Sequence, residues 1–305
     1  MPFAFAMLAA IRIAFPHEGQ GLPALERCYA IGSVPRGVTN LTVNGRSVDV
    51  YHTGAWSTLV DVAEGTNVIS AVADGQSTNV TFTVAPKPPP PSADATNRPA
   101  EKVWTKLEYA KDEARPHPTG KRPAEITIVL DPGHGGTDPG ALSPHGFPEK
   151  DANLQLALAV RTALAKRGYR VLMTREDDRT LELTERPRLA VEQGAEAFIS
   201  IHHNAPGYAT DPTDLRYTCV YSWNPLGARL ADAISAEMSA ALDGDIPSHG
   251  SLHANYAVTR NPEIPSCLIE TDFLTSPAGE EAVWNNDRRR FLAEAIADAV
   301  DSWRR

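Results

Sequence analysis

From Glu125 onward the chain repeats one pattern: a short apolar run, a polar loop, then apolar residues three and four positions apart. ITIVL (126–130) reads as a continuously apolar run, which is expected of a strand covered on both faces. Leu156, Val160, Ala163 and Leu164 then mark one helical face, and Gly168 supplies a stop. YRVLM (169–173) predicts a second strand, and residues 183–193 predict a short helix that tolerates Pro187 in its first turn. AFISI (197–201) and YTCVYS (217–222) predict further strands, and 226–242 predicts a helix. SCLIET (266–271) reads as a buried strand and 289–303 as a closing helix. Alternation of this kind predicts an α/β domain with a substantially parallel, twisted sheet flanked by helices.

Residues 38–85 follow a different period. In NLTVNGRSVDV (40–50), Leu41 and Val43 alternate, Asn44-Gly45 offers a tight turn, and Val48 and Val50 resume the alternation. Trp56, Leu59 and Val62 follow, then the turn-like EGTN, then Val68, Val80, Phe82 and Val84. Short alternating strands at this spacing predict a small β-sandwich. APKPPPPSADATNRPAEK (85–102) favours extended polyproline backbone and predicts a linker, although VWTKLEYAK (103–111) has the makings of a helical turn or docking segment. The expected division is a β-sandwich accessory domain over 1–85, a proline-rich linker over 86–122 and the α/β domain over 123–305. MPFAFAMLAAIRIAFP at the amino end has no basic residue before its apolar run, and Arg12 interrupts it. It reads as an opening strand ending at Pro16 more than as an export signal.

Composition removes several classes of function. A chain of 305 residues with 42% hydrophobic and 22% charged content suits one large or two modest soluble domains. A net charge of -9 argues against a nucleic-acid partner, because backbone contacts need clustered Lys and Arg. No apolar run approaches the roughly 18 residues of a membrane helix. Cys28, Cys219 and Cys267 are widely separated and make no disulfide framework.

Candidate chemistry collects at predicted strand ends, where open α/β sheets form their sites. His134 lies in DPGHGG, Glu149 in PEKDAN, His202 in SIHHNA and Glu270 in IETDF. Two imidazoles and a carboxylate suit Zn²⁺ with a fourth position left for water, and a further carboxylate near that water can move its protons. Each residue alone has a plainer reading. His134 would hydrogen-bond within its loop, Glu149 would favour a helix start, and either His202 or His203 would end its strand. Glu270 is harder to dismiss, because it follows Cys267, Leu268 and Ile269 in a run that should be buried. His202 and His203 cannot both face one pocket, since adjacent strand residues point to opposite faces. Competing motifs fail: Asp138 stands where GxGxxG needs its final glycine, no GKS or GKT follows, and HExxH and GxSxG are absent. Cys267 should face opposite Glu270 and reads as a small core residue.

Residues 124–304 resemble the zinc-dependent N-acetylmuramoyl-L-alanine amidases of the bacterial cell-wall amidase 3 type. The resemblance runs in order through DPGHGG, EKDANL, the TREDD to TERPRLA stretch, SIHHNA and PSCLIETDFLT. It implies one Zn²⁺ held by His134, Glu149 and His202, with Glu270 as the catalytic carboxylate and His203 at a variable position, pointing away or rimming the cleft. It implies hydrolysis of the amide between N-acetylmuramic acid and L-alanine of peptidoglycan by a zinc-activated water, in the periplasm or outer envelope of a bacterium. Two other readings stay open: another zinc peptidoglycan hydrolase that cuts within the stem peptide, and a non-catalytic wall-binding module. A further alternative makes Asp272 the base and Glu270 its structural partner. The segment between Asn204 and Arg216 is short, so the long inhibitory helix of some amidases is not evident, and no protein activator is implied. Residues 12–87 resemble, more loosely, small immunoglobulin-like accessory domains of envelope enzymes, for which a wall-binding and a spacer role are equally open.

Overall fold

A computed structural model describes residues 10–88, 121–261 and 263–305. Most of the expected linker, including VWTKLEYAK, lies outside the described residues, as do the first nine residues.

The amino-terminal part contains eight strands among the described residues. They are β1 (Arg12–Phe15), β2 (Gly21–Leu22), β3 (Arg27–Ser33), β4 (Leu41–Val43), β5 (Arg46–Val48), β6 (Ala55–Asp61), β7 (Gly65–Ala73) and β8 (Gln76–Val84). They form two sheets, in the orders β1-β3-β6 and β2-β8-β7-β4-β5. One apolar core joins them, with Ile31 and Trp56 from the first sheet meeting Leu41, Ile69 and Phe82 from the second. The turns come from the expected chemistry. Asn44 (φ 47°) and Gly45 (φ 75°) both take the left-handed conformation between β4 and β5, as the two-residue hairpin requires. β1 ends just before Pro16, as its sequence predicts. The periodic reading begins at residue 38 and does not reach β3. Six consecutive residues of that strand, Cys28 to Ser33, are buried, so there is no alternation to detect.

The second part is the expected α/β layer structure. Its strands are β9 (Thr127–Pro132), β10 (Arg170–Met173), β11 (Ala197–Asn204), β12 (Thr218–Ser222), β13 (Ser248–His253) and β14 (Ser266–Phe273). Its helices are α1 (Glu149–Lys166), α2 (Glu185–Glu192), α3 (Pro225–Leu242), α4 (Pro277–Trp284) and α5 (Asn286–Trp303). The sheet order is β10-β9-β11-β14-β12-β13. Pairing is parallel from β10 to β14, antiparallel between β14 and β12, and parallel again between β12 and β13. Ile128, Leu130, Ile199, Ile201, Cys267 and Ile269 face one way into the main core with α1, α3 and α5. Val129, Phe198 and Leu268 face the other way, toward Ala190 of α2. Burial on both faces is why these strands read as continuous apolar runs. Pro187 sits third in α2, inside the first turn as predicted.

Two elements escape periodic reading. β13, SHGSLH, is an edge strand with no buried residue and no apolar rhythm. α4 is too short to show a repeat, and α5 begins at Asn286, where the Asn285 side chain accepts from the backbone N–H groups of Asp287 and Arg288. The consequence that matters is at the centre of the sheet. β9, β11 and β14 run side by side, so their carboxyl ends open into one place, with Ile201 opposite Pro132 and His202 opposite Glu270.

The core assignment predicts that Ile296→Ala, at a fully buried site on α5, lowers unfolding free energy by about 2–5 kcal/mol in denaturant titration. Phe291→Ala on the same helix, where the side chain is 54% exposed, changes it by about 0.5 kcal/mol or less.

Candidate metal centre

The loop that leaves β9 is shaped by its carbonyls. Arg175 Nε donates to Pro132 O at 3.0 Å and its Nη2 to Gly133 O at 2.8 Å. Arg186 Nη1 donates to Pro132 O at 3.0 Å and its Nη2 to His134 O at 2.9 Å. Asp131, fully buried, takes the Arg186 guanidinium at 3.0 Å and the hydroxyls of Thr174 (2.6 Å) and Ser200 (2.7 Å). Two buried guanidinium groups thus satisfy the carbonyls where the backbone leaves the sheet, as buried carbonyls require. Within it His134 sits at φ 60°, a left-handed conformation that is costly for a residue with a Cβ and is kept where the surroundings impose it.

The glycines leave room for the functional side chains. A Cβ on Gly133 would lie 2.1 Å from the His202 ring. One on Gly140 (φ 66°) would lie 2.6 Å from both Glu149 Oε2 and His134 Cδ2. The glycine-rich loop therefore makes space for imidazoles and a carboxylate.

His134, Glu149 and His202 come together in that space. Each offers a ligand atom, and the three atoms lie within 4.8 Å of one another. His134 Nε2 is 3.1 Å from Glu149 Oε2, His202 Nδ1 is 3.0 Å from Glu149 Oε1, and the two rings meet edge to face. Glu149 is the first residue of α1, where the helix dipole favours a negative charge, yet its side chain is almost wholly buried. Its Oε2 accepts from Ala141 N at 3.0 Å, and its Oε1 accepts from Asn153 Nδ2 at 3.0 Å and His203 N at 3.2 Å. The other nitrogen of His134, Nδ1, pairs with Asp138 Oδ2 at 2.8 Å. A carboxylate behind a ligand imidazole fixes its tautomer and raises its basicity.

His203 points away from this cluster. It is buried on the opposite side of β11, with its Nδ1 2.7 Å from Asn153 Oδ1. That contact orients the Asn153 amide so that its NH₂ faces Glu149. Asp138, Asn153, Arg175 and Arg186 are absent from the candidates read out of the sequence. Only their spatial partners distinguish them from ordinary polar residues.

Electrostatics separate the two carboxylates of the site. Burial disfavours the charge on Glu149, but its hydrogen bonds and charge contacts with His134 and His202 prevail and hold it well below the usual carboxylate range. Burial likewise opposes protonation of His134, and Glu149 and Asp138 overcome it, lifting the imidazole to about 9. At His203 burial outweighs the charge of Glu149 and pushes the imidazole down to about 3, so it stays neutral. Glu270 moves the opposite way from Glu149. Burial, and then the negative charge of Glu149, raise it well above the ordinary carboxylate value. Glu270 as a residue is part-exposed, while its Oε2 is buried with no hydrogen-bond partner. Asp272, two residues on, is fully buried and ion-paired to Arg216 at 2.6 Å and Arg288 at 3.2 Å.

The donor set fits a divalent cation. Two imidazoles and a carboxylate offer ligand atoms that converge within 4.8 Å of one another, and imidazole with carboxylate suits a transition-metal dication. Such a trio at the carboxyl end of a parallel sheet, with a further carboxylate alongside, is the kind of donor arrangement found in metal-dependent hydrolases. The chain belongs to the N-acetylmuramoyl-L-alanine amidase family, Amidase_3, which it matches over residues 128–302. It is 34% identical to the N-acetylmuramoyl-L-alanine amidase AmiC of Neisseria meningitidis serogroup B, in a match covering 60% of this chain and 53% of AmiC. The chain thus spans about half the length of that relative. Among solved structures it resembles N-acetylmuramoyl-L-alanine amidase AmiC2 of Nostoc punctiforme, with a TM-score of 0.55 and 31% identity over 59% of this chain and 97% of that one. The N-acetylmuramoyl-L-alanine amidase from Clostridium difficile 630 is similar to the same degree, with a TM-score of 0.55 and 31% identity over 58% of this chain and 96% of that one. The family match begins at residue 128, so strands β1 to β8 lie outside it.

The raised His134 has two measurable consequences. In the metal-free protein its pairing contributes stability that is present in full below the ordinary histidine value of 6.5 and is lost as pH rises through about 9. A cation must also displace that proton. Calorimetric titration of Zn²⁺ at neutral pH, in buffers of different ionisation enthalpy, should show release of about one proton per ion, with affinity rising as pH rises. No proton release would remove His134 from the ligand set. Asn153→Ala, which strips a donor from Glu149, should weaken metal affinity roughly 10–100-fold in chelator competition.

Proposed function

We propose that this chain hydrolyses the amide bond between N-acetylmuramic acid and the L-alanine of peptidoglycan stem peptides. The observation that carries the reading is geometric: ligand atoms of His134, Glu149 and His202 converge within 4.8 Å of one another, and a second carboxylate, Glu270, lies opposite His202 with a proton affinity raised where that of Glu149 is lowered. Environments that push two titratable groups apart separate an electrostatic role from a proton-transfer role. His134, Glu149 and His202 would hold a zinc ion, which would supply polarisation of the scissile carbonyl and a water acidified toward neutrality.

The remaining work falls to the chain. Glu270, on the strand next to His202, accepts a proton from the attacking water and delivers it to the departing alanine nitrogen, which would otherwise leave as a poor amide anion. Its unpartnered Oε2 leaves the carboxyl free of structural duties. Asp272 has the opposite character: two guanidinium groups engage it, which supports Glu270 rather than Asp272 as the proton carrier. Asp138 holds His134 by its second nitrogen, and Asn153 with the His203 backbone holds Glu149, so the donor set is oriented in advance. Peptidoglycan as substrate places the activity outside the cytoplasm, in a bacterial envelope. Among the described residues, no helix is long and apolar enough to cross a membrane.

Glu270→Gln keeps size and removes the proton-transfer group. The variant should fold and bind zinc normally, while turnover falls roughly 10²–10⁴-fold. Mass spectrometry of digested muropeptides should show intact stem peptides released from free lactyl-muramoyl ends, and a chelator should stop it. New termini within the stem would mean a peptidase instead, and saturable wall binding without turnover would mean a binding module. Near-normal turnover by Glu270→Gln would remove the role assigned to this residue.

A further inference from the structure

Three segments leave the carboxyl ends of β9, β11 and β14, and the amino-terminal β sheets touch all three. The first runs from β9 to α1 and ends at Glu149. There Arg12 of β1 lies against Gly146, so closely that a Cβ on that glycine would fall 2.3 Å from the guanidinium carbon. The second is the stretch from residue 205 to 217 that follows His202 and has no helix or strand of its own. Its Tyr208 carbonyl accepts from Tyr29 N at 2.7 Å. The Tyr208 ring stacks on Phe15, which itself stacks on Tyr29. Five residues on, Thr213 Oγ1 meets Ser57 Oγ at 2.9 Å. The third is α4, after β14, where Glu281 takes the Tyr51 hydroxyl at 3.0 Å and lies 3.0 Å from His52 Nε2.

The same three segments are tied to one another beneath these contacts. Glu280, the neighbour of Glu281, is buried and binds both the backbone N–H and the ring of His145, next to Gly146. Arg216, near the end of the second segment, pairs with Asp272, two residues from Glu270 on β14. A loop of this length without secondary structure costs substantial entropy to hold in one conformation unless something outside it supplies anchors. Here the outside anchors at Tyr208 and Thr213 come from the β sheets.

We propose that the amino-terminal β region is a positioning element of the amidase site. It holds the segment after His202, and through Arg216 and α4 the end of β14, in the arrangement that presents Glu270. The proposal rests on the amidase reading, and it differs from a spacer or wall-binding role in one respect. A spacer or wall-binding module matters only for reaching polymeric peptidoglycan. A positioning element matters equally for a soluble fragment too small to touch the β sheets and the site together.

The test uses the full chain loaded with zinc and a soluble N-acetylmuramoyl-peptide. Two variants loosen the contact from opposite sides: Tyr208→Ala, and the double change Tyr51→Phe with His52→Ala. Both should lower kcat on the soluble fragment roughly threefold to tenfold, the scale on which losing an aromatic contact depopulates an ordered loop. KM and zinc content should change little, and Tyr208→Phe, which keeps the stack, should restore kcat. Amide hydrogen exchange across residues 205–217 should quicken in Tyr208→Ala, while exchange in the core of α5 stays as in the unaltered protein. Wild-type kcat on the fragment, with loss confined to intact sacculi, would overturn the proposal in favour of wall binding. Unchanged exchange across 205–217 would overturn it as well, and that reading needs no turnover. Failure of the unaltered protein to cut the fragment at the amide would count against the amidase reading, leaving the exchange measurement to decide the positioning role.

Discussion

A carboxylate that stays ionised in a protein interior needs positive or hydrogen-donating partners on every side, and Glu149 draws them from three stretches of chain. The loop after β9 brings the His134 ring and the Ala141 N–H. The first turns of α1 bring Asn153, and the end of β11 brings the His202 ring and the His203 N–H. Burying such a charge unpaired costs several kcal/mol, so these stretches cannot drift apart without a heavy loss. The three side chains that could hold a metal ion are in this sense gathered in advance by the fold.

The rest of the site can be read as support for that charge. Arg175 and Arg186 turn the carbonyls of Pro132, Gly133 and His134 inward, which forces His134 into a left-handed conformation and aims its ring at Glu149. Gly133 and Gly140 are bare because a Cβ at either would occupy the space of a ligand side chain. Asn153 cannot turn its amide around, because His203 holds its oxygen. The charge of Glu149 also acts at a distance: burial first, and that charge second, raise the proton affinity of Glu270. One ionised group thus draws two imidazoles together and helps to tune the carboxyl group beside them.

A second cluster of charges, centred on the fully buried Asp272, stands behind β14. Asp272, Arg216 and Arg288 bring together a strand, a loop and a helix, with Asp245 at the edge of the group. Removing its guanidinium partners would leave Asp272 buried and uncompensated, which makes such a cluster a rigid fixture rather than a source of net stability. Its position, one step from Glu270 and at the foot of the loop that contacts the β sheets, links the two halves of the described structure. The β region and the α/β region therefore share an electrostatic and hydrogen-bonded boundary that lies close to the site.

The hydrophobic rhythm of the chain alone determines the layer architecture, because strands buried on both faces and helices buried on one leave periods that local sequence must show. Ordered motifs alone single out His134, Glu149, His202 and Glu270, since glycines and strand ends frame them within a few residues. The chain order says little about β3, β13 or α4: β3 (RCYAIGS) mixes small and polar residues into its buried run, β13 is an edge without apolar rhythm, and α4 (PAGEEAVW) shows no apolar repeat. It says equally little about Asp138, Asn153, Arg175 and Arg186. Polar residues of these types are ordinary on a surface, and only the folded chain turns them inward, onto one carboxylate, one imidazole and three carbonyls. The direction of β12 and the seating of the β sheets on the loops after β9, β11 and β14 were decided in the same way. They depend on which surfaces meet across long stretches of sequence, and that is information no local pattern carries.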